Sequence, residues 1–184
     1  ALAGGDRAAA GQALEAAIAI AEQSPEATSA LAVALGRLGE IRHLDGKEGE
    51  AEQLFRRALE INERVLGQEH PDLVVLLNDL SRLYLKRGAH SDAEPLLLRL
   101  HAIKRAKGED HPEVATVLAS LASVKQALGR YDAAEQLWRR VLDIRERTLA
   151  PHHFSIATAL EHLGETCAAR GKLNEALRHR LRAL

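Results

Sequence analysis

Apolar residues recur three, four and seven positions apart along almost the whole chain, as in Leu77, Leu80 and Tyr84 or Leu160, Leu163 and Cys167, with charged and polar residues between them. Such spacing gathers the apolar side chains onto one stripe of a helix. The pattern predicts helices over 6–23, 26–44, 49–66, 71–87, 91–106, 112–128, 132–148, 154–170 and 173–184. That makes four and a half helical hairpins, led by an unpaired second helix. Gly46, Gly88, Gly129 and Gly171 fall where each first helix should end in a left-handed conformation. Pro71 and Pro112 suit a first helical turn, followed by Asp72 and Glu113, whose charge suits that end. Ser91/Glu94 and Asp132/Glu135 have the spacing of capping boxes for second helices.

The same pattern repeats at a fixed distance. Gly67-Gln-Glu-His-Pro71 returns as Gly108-Glu-Asp-His-Pro112 and, degenerately, as Ala150-Pro-His-His-Phe154, 41 and then 42 residues on. Each unit carries Leu-x-x-Leu-small, at Leu35/Leu38/Gly39, Leu77/Leu80/Ser81, Leu118/Leu121/Ala122 and Leu160/Leu163/Gly164. Five residues past each turn glycine stands an alanine with a bulkier residue four further on: Ala51/Phe55, Ala93/Leu97, Ala134/Trp138 and Ala176/Arg180. The implied units are 1–24 (a half repeat), 25–69, 70–110, 111–152 and 153–184 (a last repeat or cap), all within one array over 1–184. One hairpin cannot bury its apolar face alone, so neighbours must stack.

Leu-x2-Leu-small-x2-Tyr followed by Ala-x3-aromatic resembles the tetratricopeptide repeat, with Leu in place of the usual Trp. Phe55 to Leu77, and Trp138 to Leu160, span 22 residues, about eight more than the common repeat of roughly 34 residues implies. With the Leu66-to-Pro71 junction, this is similar to the 42-residue class typified by kinesin light chain. The resemblance implies an all-α fold: an α-solenoid of stacked antiparallel helix hairpins in a right-handed superhelix of about nine helices, with a concave wall lined by one face of each first helix. Carried onto this chain, that wall comprises Val33, Gly36, Glu40 and His43; Val75, Asn78, Arg82 and Lys86; Thr116, Ala119, Ser123 and Gln126; and Thr158, Glu161 and Glu165. A peptide-binding groove would rest chiefly on Asn78, Arg82, Lys86, Glu40, Ser123, Gln126, Glu161 and Glu165. Asn78 matches an asparagine that holds peptide backbone in this class, but Gly36, Ala119 and Glu161 take its place in the other hairpins.

Composition narrows the functions. Aromatics make up 3% of residues, so the core is built of Ala, Leu, Val and Ile, and a formal charge of −1 speaks against the broad basic field of a nucleic-acid or anionic-membrane binder. No apolar run is long enough to span a bilayer. The single Cys167 leaves no internal disulfide, which makes a cytoplasmic setting the expectation. The lack of Met and a helical pattern running to Leu184 suggest a piece of something longer.

Candidate chemistry is sparse. Asn78, Arg82 and Lys86 lie at i, i+4 and i+8 on one line, fit to meet an acidic segment of a partner, while Glu161 and Glu165 form a patch of opposite sign. The nine histidines include no His-Glu-x-x-His and no paired cysteines, so neither a metal nor another cofactor is expected. His70, His111 and His153 recur at the junctions, which suggests a hydrogen-bonding role at exposed helix ends. Cys167 occupies the place of Tyr84 and is expected to be a small packed thiol. No phosphate loop or nucleophile elbow is present, so no catalytic residue is assigned. In the last helix, His179 and Arg180 replace apolar pairs such as Leu54/Phe55, as a solvent-facing end would.

The expectation is a non-catalytic scaffold that binds a protein or peptide segment in its groove. The alternative is the sensory or oligomerisation region of a larger signalling enzyme such as a kinase or regulator. Self-association is expected through exposed array ends, with Leu14, Ile18 and Ile20 of the first helix packing on another copy.

Overall fold

Gly46, Gly88, Gly129 and Gly171 adopt φ values of 77°, 71°, 71° and 76°, and the chain reverses direction at Gly46, Gly129 and Gly171. At Gly129 the reversal is closed by two backbone bonds, Gly129 N–H to the Gln126 carbonyl and Arg130 N–H to the Lys125 carbonyl, 2.9 and 2.8 Å long. Gly171 and Lys172 repeat the arrangement on Ala168 and Cys167. This Schellman pairing satisfies carbonyls that the helix end leaves open, and its left-handed residue is one only glycine adopts without strain.

The computed structural model describes residues 4–24 and 27–184, and its described residues contain helices and turns but no strand. The expected start of the second helix at 26, and the unit boundary at 25, lie outside the described residues. The chain resolves into two compact units, 1–87 and 88–184. The first holds α1 (Gly4–Ala21), α2 (Thr28–Leu44), α3 (Glu48–Leu66), a 3-10 turn over Pro71–Leu73, and α4 (Val74–Lys86). The second holds α5 (His90–Arg105), α6 (Pro112–Ala127), α7 (Tyr131–Thr148), α8 (Phe154–Ala169) and α9 (Leu173–Ala183). Within each unit every helix packs on the next in sequence.

The repeated landmarks form the cores. Leu35, Phe55, Leu77, Leu80 and Leu83 are buried in the first unit, and Leu121, Trp138, Ile144, Leu160 and Leu163 in the second. Small residues set the helix spacing: a Cβ added at Gly39 would stand 2.7 Å from the Phe55 ring. Ser81, at the matching place, is buried and donates its hydroxyl to the Leu77 carbonyl at 2.6 Å.

Two local expectations are corrected. The helix expected at 71–87 begins as a 3-10 turn before α4 proper. The capping boxes do not form: α5 and α7 start at His90 and Tyr131, ahead of Ser91 and Asp132, and neither has a side-chain cap. Glu94 and Glu135 are drawn instead to cations of the following hairpin. By contrast, the junction histidines do cap. Nδ1 of His70, His111 and His153 accepts from the N–H of Asp72, Glu113 and Ser155 at 3.2, 3.2 and 3.1 Å.

Candidate functional site

None of the residues assigned to the wall from the sequence is buried, so the face opposite each buried leucine stripe is open on α2, α4, α6 and α8. In the first unit, α2 and α4 border a cleft of about 280 Å³ whose lining includes Val33, Gly36 and Glu40 from α2, Asp72 from the 3-10 turn, and Val75 and Asp79 from α4. Val33 and Val75 are 63% and 58% exposed. Two large, water-facing valines beside a glycine give this cleft an apolar floor.

Its charges are organised differently from the expected open line of cations. Arg82 donates to Asp79 at 2.8 Å, and Lys86 lies 2.7 Å from Glu48 of α3. Glu40 takes Arg37 at 3.2 Å. Asn78 is exposed between Val75 and Arg82. Arg37 and Arg82 are 67% and 66% exposed, while the Asp79 side chain is only 12% exposed. Burial raises the Asp79 carboxyl above the usual carboxylate range; the Arg82 charge opposes that and Glu40 adds to it. Asp79 lies one residue off the first-helix face inferred from the repeat, which hides it in the sequence.

In the second unit Ser123 is exposed, but Gln126 is engaged: its side-chain carbonyl accepts from Trp138 Nε1 at 2.7 Å. Trp138 is 2% exposed and stacks on His162 with ring centroids 4.6 Å apart. Glu165 contacts the same His162 at 3.2 Å, whereas Glu161 is exposed. Glu161 and Glu165 form one side of an open cavity of about 510 Å³ whose other side is Leu177, Leu181 and Leu184.

A second constellation, unforeseen in the sequence, repeats through both units. Glu52 of α3 accepts from Tyr84 Oη at 2.9 Å and from Arg87 at 2.6 Å. Glu94 of α5 takes Lys125 and Arg130. Glu135 of α7 takes Arg139, Arg170 and Lys172. Burial works to raise the Glu135 carboxyl, but hydrogen bonds from Lys172, Arg139 and Arg170 outweigh it and hold the group at about 2. Each glutamate directly follows the small alanine of its second helix, and this Ala-Glu pair is the signal that could have revealed it. In α9 the pair becomes Ala176-Leu177. Leu173, Leu177, Leu181 and Leu184 are there 69%, 58%, 62% and 104% exposed. Among the described residues, no helix is long and apolar enough to cross a membrane.

The tetratricopeptide repeat family model matches residues 30–106 and 113–184. Among solved structures, one from Podosopora anserina described as kinesin light chain nearly identical TPR-like repeats superposes with a TM-score of 0.77 at 26% identity, covering 97% of this chain and 86% of that one. BtubC (BKLC) from P. vanneervenii gives 0.67 at 18% identity over 96% of this chain and 87% of its own. MamA from Desulfovibrio magneticus RS-1 gives 0.61 at 16% identity over 83% and 73%. A search of curated proteins finds no match.

Proposed function

The chain belongs to the tetratricopeptide repeat family, in its kinesin-light-chain-like form and with an all-α solenoid fold, and on that premise we propose that it is a non-catalytic, cytoplasmic scaffold gripping a partner segment on its first-helix faces. The observation that carries this reading is the α2/α4 cleft, with its exposed valines and the adjoining line of Asn78, Arg82 and Lys86. An asparagine amide can donate to and accept from a peptide bond at once, which suits the backbone of an extended segment. The Arg82 and Lys86 ends of the Arg82–Asp79 and Lys86–Glu48 ion pairs are largely exposed, so both cations stay within reach of an acidic segment. Glu40, Ser123, Gln126, Glu161 and Glu165 complete the proposed faces, with Gln126 acting through its bond to Trp138.

The test is comparative capture from the source cell with the native chain and with an Asn78→Ala, Arg82→Gln, Lys86→Gln variant of matched circular dichroism. A partner that binds the native chain and is lost by the variant supports the cleft, and its bound segment should be acidic. Equal retention of every captured protein by both forms overturns it.

A second reading, the oligomerisation region of a larger signalling enzyme, is favoured by the leucine stripe of α9. Ile18, expected to face another copy, is instead 9% exposed within its own unit, leaving Ile20 outward at 71%. Self-association is therefore proposed at α9.

A further inference from the structure

The fourth hairpin departs from the repeat at two places that face one another. Tyr84 and Lys125 occupy one slot on α4 and α6 and donate to the ladder glutamates Glu52 and Glu94; on α8 that slot holds Cys167. Leu54, Leu96 and Leu137 occupy another slot on α3, α5 and α7; on α9 it holds His179. Both changes introduce a metal-binding side chain, and Glu175 lies one helical turn before His179 on the same face. One ligand atom from each of Cys167, Glu175 and His179 lies within 4.8 Å of the other two.

We propose that Cys167, Glu175 and His179 form a binding site for a borderline-soft divalent cation, Zn²⁺ by preference. Thiolate, imidazole and carboxylate are the zinc donor set, and three protein ligands leave a fourth position for water. Zinc bonds of about 2.0–2.3 Å bring tetrahedral donors to roughly 3.3–3.8 Å from one another, so the site closes by about 1 Å of side-chain movement. The neighbours permit it. Glu175 gives one carboxylate oxygen, Oε2, to Arg139 at 2.6 Å, while the other, Oε1, stays 4.0 Å from Lys172 and is available to the ion. An arginine bound to the outer oxygen orients a metal-ligating carboxylate as outer-shell partners do. Arg139, Arg170 and Lys172 are at the same time paired with Glu135, and Arg170 also with Asp132.

The close approach of α8 and α9 is built in as well. A Cβ at Gly164 would lie 3.3 Å from the Ala176 carbonyl oxygen and 3.7 Å from His179 Cβ. Burial lowers the basicity of His179 and raises the Cys167 thiol above its ordinary range. On binding, the S–H bond breaks, a sulfur–metal bond forms and the proton passes to water, with no change of oxidation state.

Because Cys167 is the chain's single cysteine, Co²⁺ is a selective probe: only this site can produce a thiolate-to-cobalt charge-transfer band, whatever the other histidines bind. Titration of the 184-residue chain with Co²⁺ should yield that band together with tetrahedral d–d absorption, and Zn²⁺ should displace both. Cys167→Ser should abolish the charge-transfer band. His179→Leu, which restores the residue of the other repeats, should weaken Co²⁺ binding at least about tenfold with an unchanged circular dichroism spectrum. Absence of a charge-transfer band up to millimolar Co²⁺ overturns the proposal, as does a band of undiminished affinity in His179→Leu or Glu175→Gln.

Discussion

Gly36 and Gly39 lie one turn apart on α2, yet the same substitution should move stability in opposite directions at the two. A Cβ at Gly39 would meet two Phe55 ring atoms at 2.7 and 2.8 Å, and Phe55 is itself 1% exposed and has no room to retreat. Overpacking of this kind costs about 1–3 kcal/mol, which outweighs the roughly 0.5–1 kcal/mol a helix gains when alanine replaces glycine. At Gly36 the nearest atom is Leu76 Cδ2 at 3.4 Å, an ordinary contact, so the helical gain stands alone. Gly39→Ala should therefore lower the urea midpoint and Gly36→Ala raise it. Equal shifts in one direction would show that Phe55 does not set the α2–α3 spacing. The repeat position of Gly39 could be read from the sequence, because small residues recur there at Ser81, Ala122 and Gly164. The ring that requires it could not, since Phe55 reaches Gly39 only once the hairpin has closed.

Between helices the ladder glutamates replace local capping with tertiary pairing, and Glu135 is the most enclosed of them, 4% exposed. Its carboxyl is held at about 2 in the folded chain against an ordinary 4.5. A depressed carboxylate contributes stability above its unfolded value, and that contribution drains away as pH falls from about 4.5 toward 2. A shift of this size corresponds to roughly 3 kcal/mol before allowance for its partly exposed partners, and about 1–3 kcal/mol after it. Glu135→Gln should lower stability by that amount at pH 7 and show a flatter loss between pH 5 and pH 3 than the native chain, measured as urea midpoints. Parallel acid profiles for the two would remove Glu135 from the acid response. This contact also marks the limit of what the sequence conveys. Helix positions, turn glycines and the histidine caps depend on residues within a few places of one another, and all three follow from spacing. Two of the three cationic partners of Glu135 lie 35 and 37 residues on, so the local rule for Asp132/Glu135 pointed to a capping box that the longer-range cations displace. The Trp138–Gln126 bond is non-local in the same way, because Trp138 belongs to the next helix.

The ion-pair ladder has no rung on α9, and that difference bears on assembly. Where α3, α5 and α7 present Glu52, Glu94 and Glu135 to the helix that follows, α9 presents Leu177, flanked by Leu173 and Leu181 one turn to either side. Exposed leucines in a continuous stripe mark a contact surface. Across the cavity of about 510 Å³ stand Glu161 and Glu165, while Arg178 and Arg180 are exposed on α9. On the proposed self-association at α9, two copies related by a two-fold axis would bring each leucine stripe onto the other, with charges at the rim. The chain should therefore sediment as a concentration-dependent dimer of 20.0 kDa protomers. Leu177→Glu restores the residue of the other ladders at an exposed place, so it should leave the fold intact while shifting the mass to that of one protomer. Glu161→Lys with Glu165→Lys should weaken the dimer less, and more so at low salt than at high, because rim charges steer and register an interface whose adhesion is apolar. A native chain that stays at 20.0 kDa into the millimolar range, or a dimer indifferent to Leu177→Glu, would assign the stripe to another occupant.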